Sequence, residues 1–161
     1  MIGPNKFHGD AAKPQGTALS YLAIARLNHS TKHIFIIPGI VLAYLLRGVH
    51  THSLLVSIGL GLVTAICVAS ANYVINEWFD RDFDRFHPTK SLRTAVQKQL
   101  SGNIIFLEWF VLLGVGLACA FTASRIMLLI AGVFALGGIV YNVPPLRAKD
   151  KPYLRWINYK L

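Results

Sequence analysis

Four apolar runs close to the length of a bilayer crossing constrain the fold of this chain more than any other feature. A transmembrane helix needs about 20 predominantly apolar residues, and these runs approach that length. They are Ile34 to Val49, Leu54 to Ala71, Ile104 to Ala123 and Ile126 to Val143. Only 14% of the residues are charged, whereas a soluble domain carries about a quarter. The runs therefore predict an all-α membrane protein with about four transmembrane helices, in preference to a soluble helical bundle.

The ends of the last two runs indicate how they are connected. Ser124 and Arg125 separate them, which predicts a two-residue turn and a tight helical hairpin. Pro144 and Pro145 follow the fourth run, and a helix does not continue through such a pair. Glu108, near the start of the third run, is predicted to lie at the membrane interface.

The distribution of basic residues predicts the orientation. Fourteen of the 16 Lys and Arg residues lie in residues 1–33, 80–103 and 144–161. With four crossings these regions share one side of the membrane, which the positive-inside rule makes cytoplasmic. Topology thus explains the net charge of +9 without a nucleic-acid partner. We expect an integral, multi-pass protein of a bacterial inner membrane, with both termini and the acidic segment in the cytoplasm.

That acidic segment, "NYVINEWFDRDFDRFHPTK", follows the second run and holds four of the seven carboxylates in the chain. Polar side chains recur in it at every fourth residue, so on an α-helix they form one stripe. The stripe consists of Asn72, Asn76, Asp80 and Asp84. Glu77 and Asp82 point away from it. Because Pro88 ends the helix nearby, the aspartates lie where the helix dipole disfavours anions. A bound divalent cation would compensate for this; the alternative is a solvated helix end.

The residue types of the stripe and of the next loop indicate which ligands could bind. The stripe offers only carboxylate and amide oxygens, which suit a hard cation such as Mg²⁺. Protein-bound Mg²⁺ is usually completed by water and substrate phosphates. The loop "HPTKSLR" supplies Thr89, Lys90 and Arg93, and basic side chains bind phosphate. The segment therefore predicts a magnesium and diphosphate site.

These motifs resemble those of the UbiA superfamily of intramembrane prenyltransferases. The pattern N-x-x-x-D-x-x-x-D at Asn76, Asp80 and Asp84, followed by "HPTK", is similar to the family's first aspartate-rich motif. "YNVPPLRAKDKPYL", from Tyr141, resembles the loop after its fourth helix, and "ARLNHSTKHIFIIPG", from Ala25, the start of its first helix. The likeness covers about Ala25 to Leu154. Lys32 together with "HPTK" is similar to the branch that contains polyprenyl-phosphate phosphoribosyltransferases.

The resemblance implies a fold, a reaction and a set of site residues. The fold is the first half of the UbiA helical bundle, with a disordered leader at 1–16, a partial transmembrane domain at 17–154 and a tail at 155–161. The reaction is Mg²⁺-dependent transfer of a prenyl group from a polyisoprenoid diphosphate to an acceptor, with release of diphosphate. Asp80 and Asp84 would be catalytic. The implied metal ligands are Asn76, Asp80 and Asp84; the diphosphate contacts are Lys90, Arg93 and Arg147; and the pocket residues are Asn72, Tyr141 and Lys32.

Two departures from the family pattern leave alternatives open. After Arg93 the chain reads "RTAVQKQLSG", where the family commonly has Pro and small residues. Members of the family also carry a second aspartate-rich motif, and no Asp follows Asp150 here. We therefore expect activity to need a missing C-terminal half or a second copy. The alternatives are phosphoribosyl transfer from phosphoribosyl diphosphate to a polyprenyl phosphate, a catalytically silent membrane or lipid-binding homologue, and a channel or transporter.

Overall fold

The structure, a computed structural model, describes residues 13–26 and 54–150, and within them it is built from helices. The α-helices are α1 (Ala18–Ile24), α2 (Leu54–Asp84), α3 (Thr94–Gln97), α4 (Gly102–Ala123) and α5 (Arg125–Asn142). Two 3₁₀ turns lie at Lys90–Leu92 and Ala148–Asp150. Among the described residues, extended pairing is limited to an isolated bridge between Gln15 and Gln99.

Three of the helices, α2, α4 and α5, are long and apolar enough to cross a membrane. They contain the second and third predicted spans in full and the fourth up to Asn142, and the all-α membrane fold is confirmed. The first predicted span, Ile34 to Val49, lies outside the described residues. The 31 residues of α2 extend about 46 Å at ~1.5 Å per residue. This exceeds a hydrocarbon core of about 30 Å, so α2 is longer than a crossing requires.

Small residues bring α2 and α4 close together. A Cβ atom placed on Gly116 of α4 would lie 2.8 Å from the Cγ2 atom of Val68 and 3.1 Å from the Cβ atom of Cys67. Val68 and Ala120 are buried in the same cluster as Ala131 of α5. Such close approach increases van der Waals contact, which drives helix association in lipid.

The hairpin between α4 and α5 is tighter than the two-residue turn that the sequence predicts. Helix α4 ends at Ala123 and α5 begins at Arg125, so Ser124 alone separates them. The backbone of Ser124 is extended, and its side-chain oxygen accepts a hydrogen bond from the backbone nitrogen of Met127 at 3.0 Å. Arg125 therefore belongs to α5, because the Ser124 side chain caps that helix within its first turn.

Glu77 holds the segment after α2 and the end of α1 against α2. Its side chain is buried, with one carboxylate oxygen 3.3 Å from Nη2 of Arg26. The other oxygen accepts a hydrogen bond from the backbone nitrogen of Ala95, at the start of α3, at 3.2 Å. Residues 13–16, at the end of the predicted leader, are also held, because the backbone nitrogen of Gln99 donates to the carbonyl of Pro14. The Asp-rich end of α2 is thereby fixed relative to the loop that follows it.

Candidate functional site

The polar stripe predicted on α2 lies on a continuous helix that ends at Asp84, four residues before Pro88. Each of its members contacts either α5, the segment after α5 or the loop after α2. Asp82 is exposed, and Glu77 contacts Arg26, just after α1, and Ala95 of α3, so neither shares the surroundings of the stripe. The structure therefore gives the stripe partners from two separate parts of the chain.

Asp80 binds two basic side chains from the segment that follows α5. Its Oδ1 atom lies 3.0 Å from Nη2 of Arg147 and 2.5 Å from Nζ of Lys149. Arg147 also donates to the backbone carbonyl of Phe79 at 3.3 Å. The backbone of Arg147 has a φ of 25°, in the left-handed region that is uncommon for residues other than glycine. The contacts with α2 thus coincide with a strained backbone conformation.

Lys149 brings Asp80 together with two asparagines. Its Nζ atom lies 3.1 Å from Oδ1 of Asn76 and 3.0 Å from Oδ1 of Asn142, in addition to its contact with Asp80. Asn76 belongs to the stripe on α2, whereas Asn142 is the last residue of α5. One ammonium group is therefore surrounded by three side-chain oxygens from two helices.

Asp84 binds the loop that follows α2. Its side chain is buried, and one oxygen forms a salt bridge with Nη1 of Arg93. The other oxygen lies 3.9 Å from Nζ of Lys90. Lys90 begins the 3₁₀ turn that returns the chain toward α3, and Arg93 directly follows it. The predicted diphosphate contacts of this loop are thus beside the second aspartate of the stripe.

A groove of about 580 Å³ lies between α2 and α5, beside the Asn72 and Asn76 part of the stripe. Asn72, Asn76, Tyr141 and Asn142 line it together with apolar residues such as Phe134. Asn72 donates to the backbone carbonyl of Phe134 at 3.4 Å. A Cβ atom on Gly138 would lie 2.0 Å from the Oδ1 atom of Asn72, so this approach depends on glycine. Two predicted pocket residues, Asn72 and Tyr141, therefore share one groove with the stripe.

The chemistry of these groups fits a hard cation and an anion bound together. Asn76, Asp80 and Asn142 offer oxygens only, which are the ligands that Mg²⁺ takes. Within the described residues no group of three or more His, Cys, Asp or Glu side chains could hold a metal. Amide, water or substrate oxygens would therefore have to complete the coordination. Four basic side chains surround two stripe carboxylates, and this excess of positive charge favours phosphate.

Other predicted residues lie elsewhere. Lys32 lies outside the described residues. Arg26, the second residue of the "ARLNHSTKHIFIIPG" motif, contacts Glu77 and packs its guanidinium 5.3 Å from the ring centre of Tyr73. Glu108 lines a separate groove of about 1040 Å³ between α1 and α4.

Lys149 and Asn142 are the site residues that the sequence did not reveal. Lys149 is one of many basic residues in predicted cytoplasmic segments, where topology already explains its charge. Asn142 lies two residues before the proline pair, and a polar residue at such a position is typical of an ordinary helix end. A usable signal was the position of Asn142 directly after Tyr141, which places a polar side chain at the same end of α5 as a predicted pocket residue.

Comparisons with known proteins agree with these observations. The sequence profile of the UbiA prenyltransferase family matches residues 34–158. The chain is also 32% identical over 82 residues to the nodulation protein NoeC of Azorhizobium caulinodans. The matched segment covers 51% of this chain and 27% of NoeC, so it spans about a quarter of that relative. No solved structure matches the chain.

Proposed function

Because the chain belongs to the UbiA prenyltransferase family, we propose that it forms the diphosphate-binding part of a membrane-embedded, Mg²⁺-dependent prenyltransferase. The donor would be a polyisoprenoid diphosphate. In the reaction, the bond between C1 of the donor and its diphosphate oxygen breaks, and the electron pair leaves with diphosphate. A new bond forms between C1 and a nucleophilic atom of the acceptor, which then loses a proton.

The observation that carries this proposal is the pairing at the C-terminal end of α2. Asp80 binds Arg147 and Lys149, and Asp84 binds Arg93 and Lys90. A solvated helix end has no need for basic partners from two separate segments, one of which is 67 to 69 residues away in the sequence. Carboxylates and basic groups side by side are what a metal–diphosphate ligand requires, because it presents both a dication and phosphate oxygens.

Within this proposal, Asn76, Asp80 and Asp84 hold Mg²⁺. When bound there, Mg²⁺ would supply positive charge to the departing diphosphate. Arg93 and Arg147 can each offer two parallel N–H groups to phosphate oxygens, and Lys90 adds a point charge. All of these charges are held in place before the reaction, so they stabilise the leaving group as its negative charge grows.

The groove between α2 and α5 supplies a path for the isoprenoid chain. It begins beside Asn76 and runs along Val133 and Phe134, and its walls are mainly apolar. Tyr141 stands at the same end as the basic residues, with its ring centre 5.8 Å from Nζ of Lys149. A donor with its diphosphate at Asp80 could therefore place its hydrocarbon chain between the two helices, toward lipid.

Calorimetric titration of the detergent-purified chain with inorganic diphosphate, with and without Mg²⁺, tests this function. We expect binding that requires Mg²⁺ and is weakened at least tenfold in Asp80→Asn and in Asp84→Asn, because each loses a charged ligand. Asp82→Asn is the matched control, since Asp82 is exposed on the same helix end and off the stripe. It should bind as the wild type does.

Two outcomes would count against the proposal. Folded wild type that fails to bind diphosphate would favour a catalytically silent homologue. Binding that is equally weakened by Asp82→Asn would reduce the site to a general effect of surface charge. Where binding depends on the stripe, titration with prenyl diphosphate and with phosphoribosyl diphosphate would separate the two donors.

A further inference from the structure

The ammonium group of Lys149 uses its full hydrogen-bonding capacity in one place. A lysine ammonium has three donors. The structure provides three side-chain oxygens for them, at 2.5 Å from Asp80, 3.1 Å from Asn76 and 3.0 Å from Asn142. All three are hard oxygen donors that converge on one cation. The same arrangement would serve a different cation of higher charge.

Asn142 is oriented for this role by its own helix. Its amide nitrogen donates to the backbone carbonyl of Gly138 at 2.9 Å, one helical turn earlier. This hydrogen bond leaves the amide oxygen facing Lys149. The residue is only 4% exposed, so its oxygen is largely shielded from water. A helix cap alone would not require the side-chain oxygen to meet a cation shared with α2.

We propose that Asn142 is a ligand of the divalent-cation site formed with Asn76 and Asp80, and that Lys149 occupies this site until the cation enters. The inference rests on the proposed function, because it assigns further residues to the same site. It extends the metal ligands from one helix to two. Closure of the site then depends on the position of α5 relative to α2.

Exchange between Lys149 and a divalent cation is physically reasonable. Lysine carries a compact charge on a flexible four-carbon stem, so it can leave three oxygens without moving the backbone. Once displaced, its ammonium can bind a phosphate oxygen of the incoming diphosphate. While Lys149 occupies the oxygens, the apparent cation affinity is reduced by the fraction of protein in which they are free. Diphosphate, by giving Lys149 a new partner, would raise that affinity.

Binding of Mn²⁺ to the full chain, followed by electron paramagnetic resonance of the free ion, tests the role of Asn142. We expect Asn142→Leu to weaken Mn²⁺ binding about tenfold or more, because one oxygen ligand is lost. Asn142→Asp should bind Mn²⁺ at least as tightly as the wild type. Asn103→Leu is the matched control for the same chemical change, because Asn103 is exposed at the start of α4.

The role of Lys149 has the opposite expected sign. Lys149→Met should tighten Mn²⁺ binding in the absence of diphosphate by about tenfold, if Lys149 occupies the oxygens in about nine molecules of ten. Lys90→Met removes the same charge beside Asp84 but does not free these three oxygens. The increase in Mn²⁺ affinity in Lys90→Met should therefore be smaller than in Lys149→Met. It should disappear at high salt, where electrostatic effects between exposed groups are screened.

Acylation of lysine amines, read by mass spectrometry, measures the displacement in the unmodified protein. We expect Mg²⁺ to increase labelling of Lys149, which is largely buried while it holds the three oxygens. Labelling of Lys98, whose ammonium donates to Ser20, should stay constant. This measurement needs no variant, so it tests the displacement of Lys149 even if Asn142→Leu does not fold; Asn142→Asp then tests the ligand.

The results separate this inference from the function on which it rests. Wild type that binds Mn²⁺ through Asp80, but is indifferent to Asn142→Leu and to Lys149→Met, would overturn the inference and leave the proposed function standing. Labelling of Lys149 that stays the same or falls when Mg²⁺ is added would also overturn the inference. Wild type that binds no Mn²⁺, with or without diphosphate, would overturn both.

Discussion

The two sides of α2 are held by different forces. Toward α4, Val68 packs against the backbone at Gly116, and contacts between apolar atoms hold the two helices together. Toward α5 and the segment after it, the helix presents amides and carboxylates, which bind Arg147 and Lys149. The first side resembles any close helix pair in lipid. The second places four polar residues where packing alone would favour none, which is typical of a functional surface in a membrane protein.

This difference implies that stability and ligand binding can be changed separately. Substitutions on the α4 side should lower the free energy of unfolding and leave the affinity for Mg²⁺ and diphosphate largely intact. Substitutions on the α5 side should mainly change that affinity. If a substitution on either side lowered both the free energy of unfolding and the ligand affinity, this distinction would be contradicted.

The largest expected effect on stability is at Gly116. Gly116→Ala places a Cβ atom against Val68 and Cys67, close to their backbone, so α2 and α4 must move apart. We expect the free energy of unfolding to fall by about 1–3 kcal/mol, as for other overpacked cores. Unfolding in mixed micelles, followed by circular dichroism, measures this change.

Gly114→Ala is the control for Gly116→Ala. It makes the same change on the same helix, but a Cβ atom there would have nothing within 4 Å. Because alanine favours helix more than glycine, we expect its stability to be unchanged or higher by up to about 1 kcal/mol. Equal losses in the two variants would show that the contact with Val68 is not what holds the helices together.

A smaller effect is expected at Glu77, which faces neither side of the comparison. Glu77→Gln keeps an oxygen for the backbone nitrogen of Ala95 but removes the charge that Arg26 meets. Arg26 is about a quarter exposed, so solvent screens this pair and the loss should be about 1 kcal/mol. In the same unfolding measurement, Asp82→Asn should cause no loss. If Glu77→Gln lost more unfolding free energy than Gly116→Ala, the contacts of Glu77 would hold α2 in place more strongly than helix packing does.

The smallest effect on stability is expected at Gly138, although the geometric conflict there is the tightest. The three atoms nearest to a Cβ atom there all belong to the end of the Asn72 side chain, which can rotate away. We expect Gly138→Ala to lose less than about 1 kcal/mol, since a rotamer change relieves the conflict. A loss of unfolding free energy as large as that in Gly116→Ala would mean that packing fixes the Asn72 side chain and prevents it from rotating.

The helices and the stripe could be predicted from the sequence because both follow from local regularity. Apolar runs of bilayer length define α2, α4 and α5, and the four-residue repeat puts Asn76, Asp80 and Asp84 on one side of a helix. The loop partners of Asp84 were also within reach, because Lys90 and Arg93 follow within nine residues.

The remainder of the site could not be predicted because it depends on pairing between distant segments. Asp80 and Lys149 are 69 residues apart, and several basic residues in the cytoplasmic segments were equally available to the aspartates. Arg26 illustrates the same ambiguity: it contacts Glu77, on another side of α2. The amide oxygen of Asn142 acquires its partner only when α5 packs beside α2.

Thermal unfolding of three proteins, with and without Mg²⁺ and diphosphate, tests most directly whether the polar side of α2 binds ligand and the apolar side does not. A ligand that binds only the folded state raises the unfolding midpoint. We expect a ligand-induced rise in the wild type and a similar rise in Gly116→Ala, whose midpoint without ligand is lower. In Asp80→Asn the rise should vanish. A rise that persists in Asp80→Asn, or one that is lost in Gly116→Ala, would contradict the assignment of the site to this side of the helix.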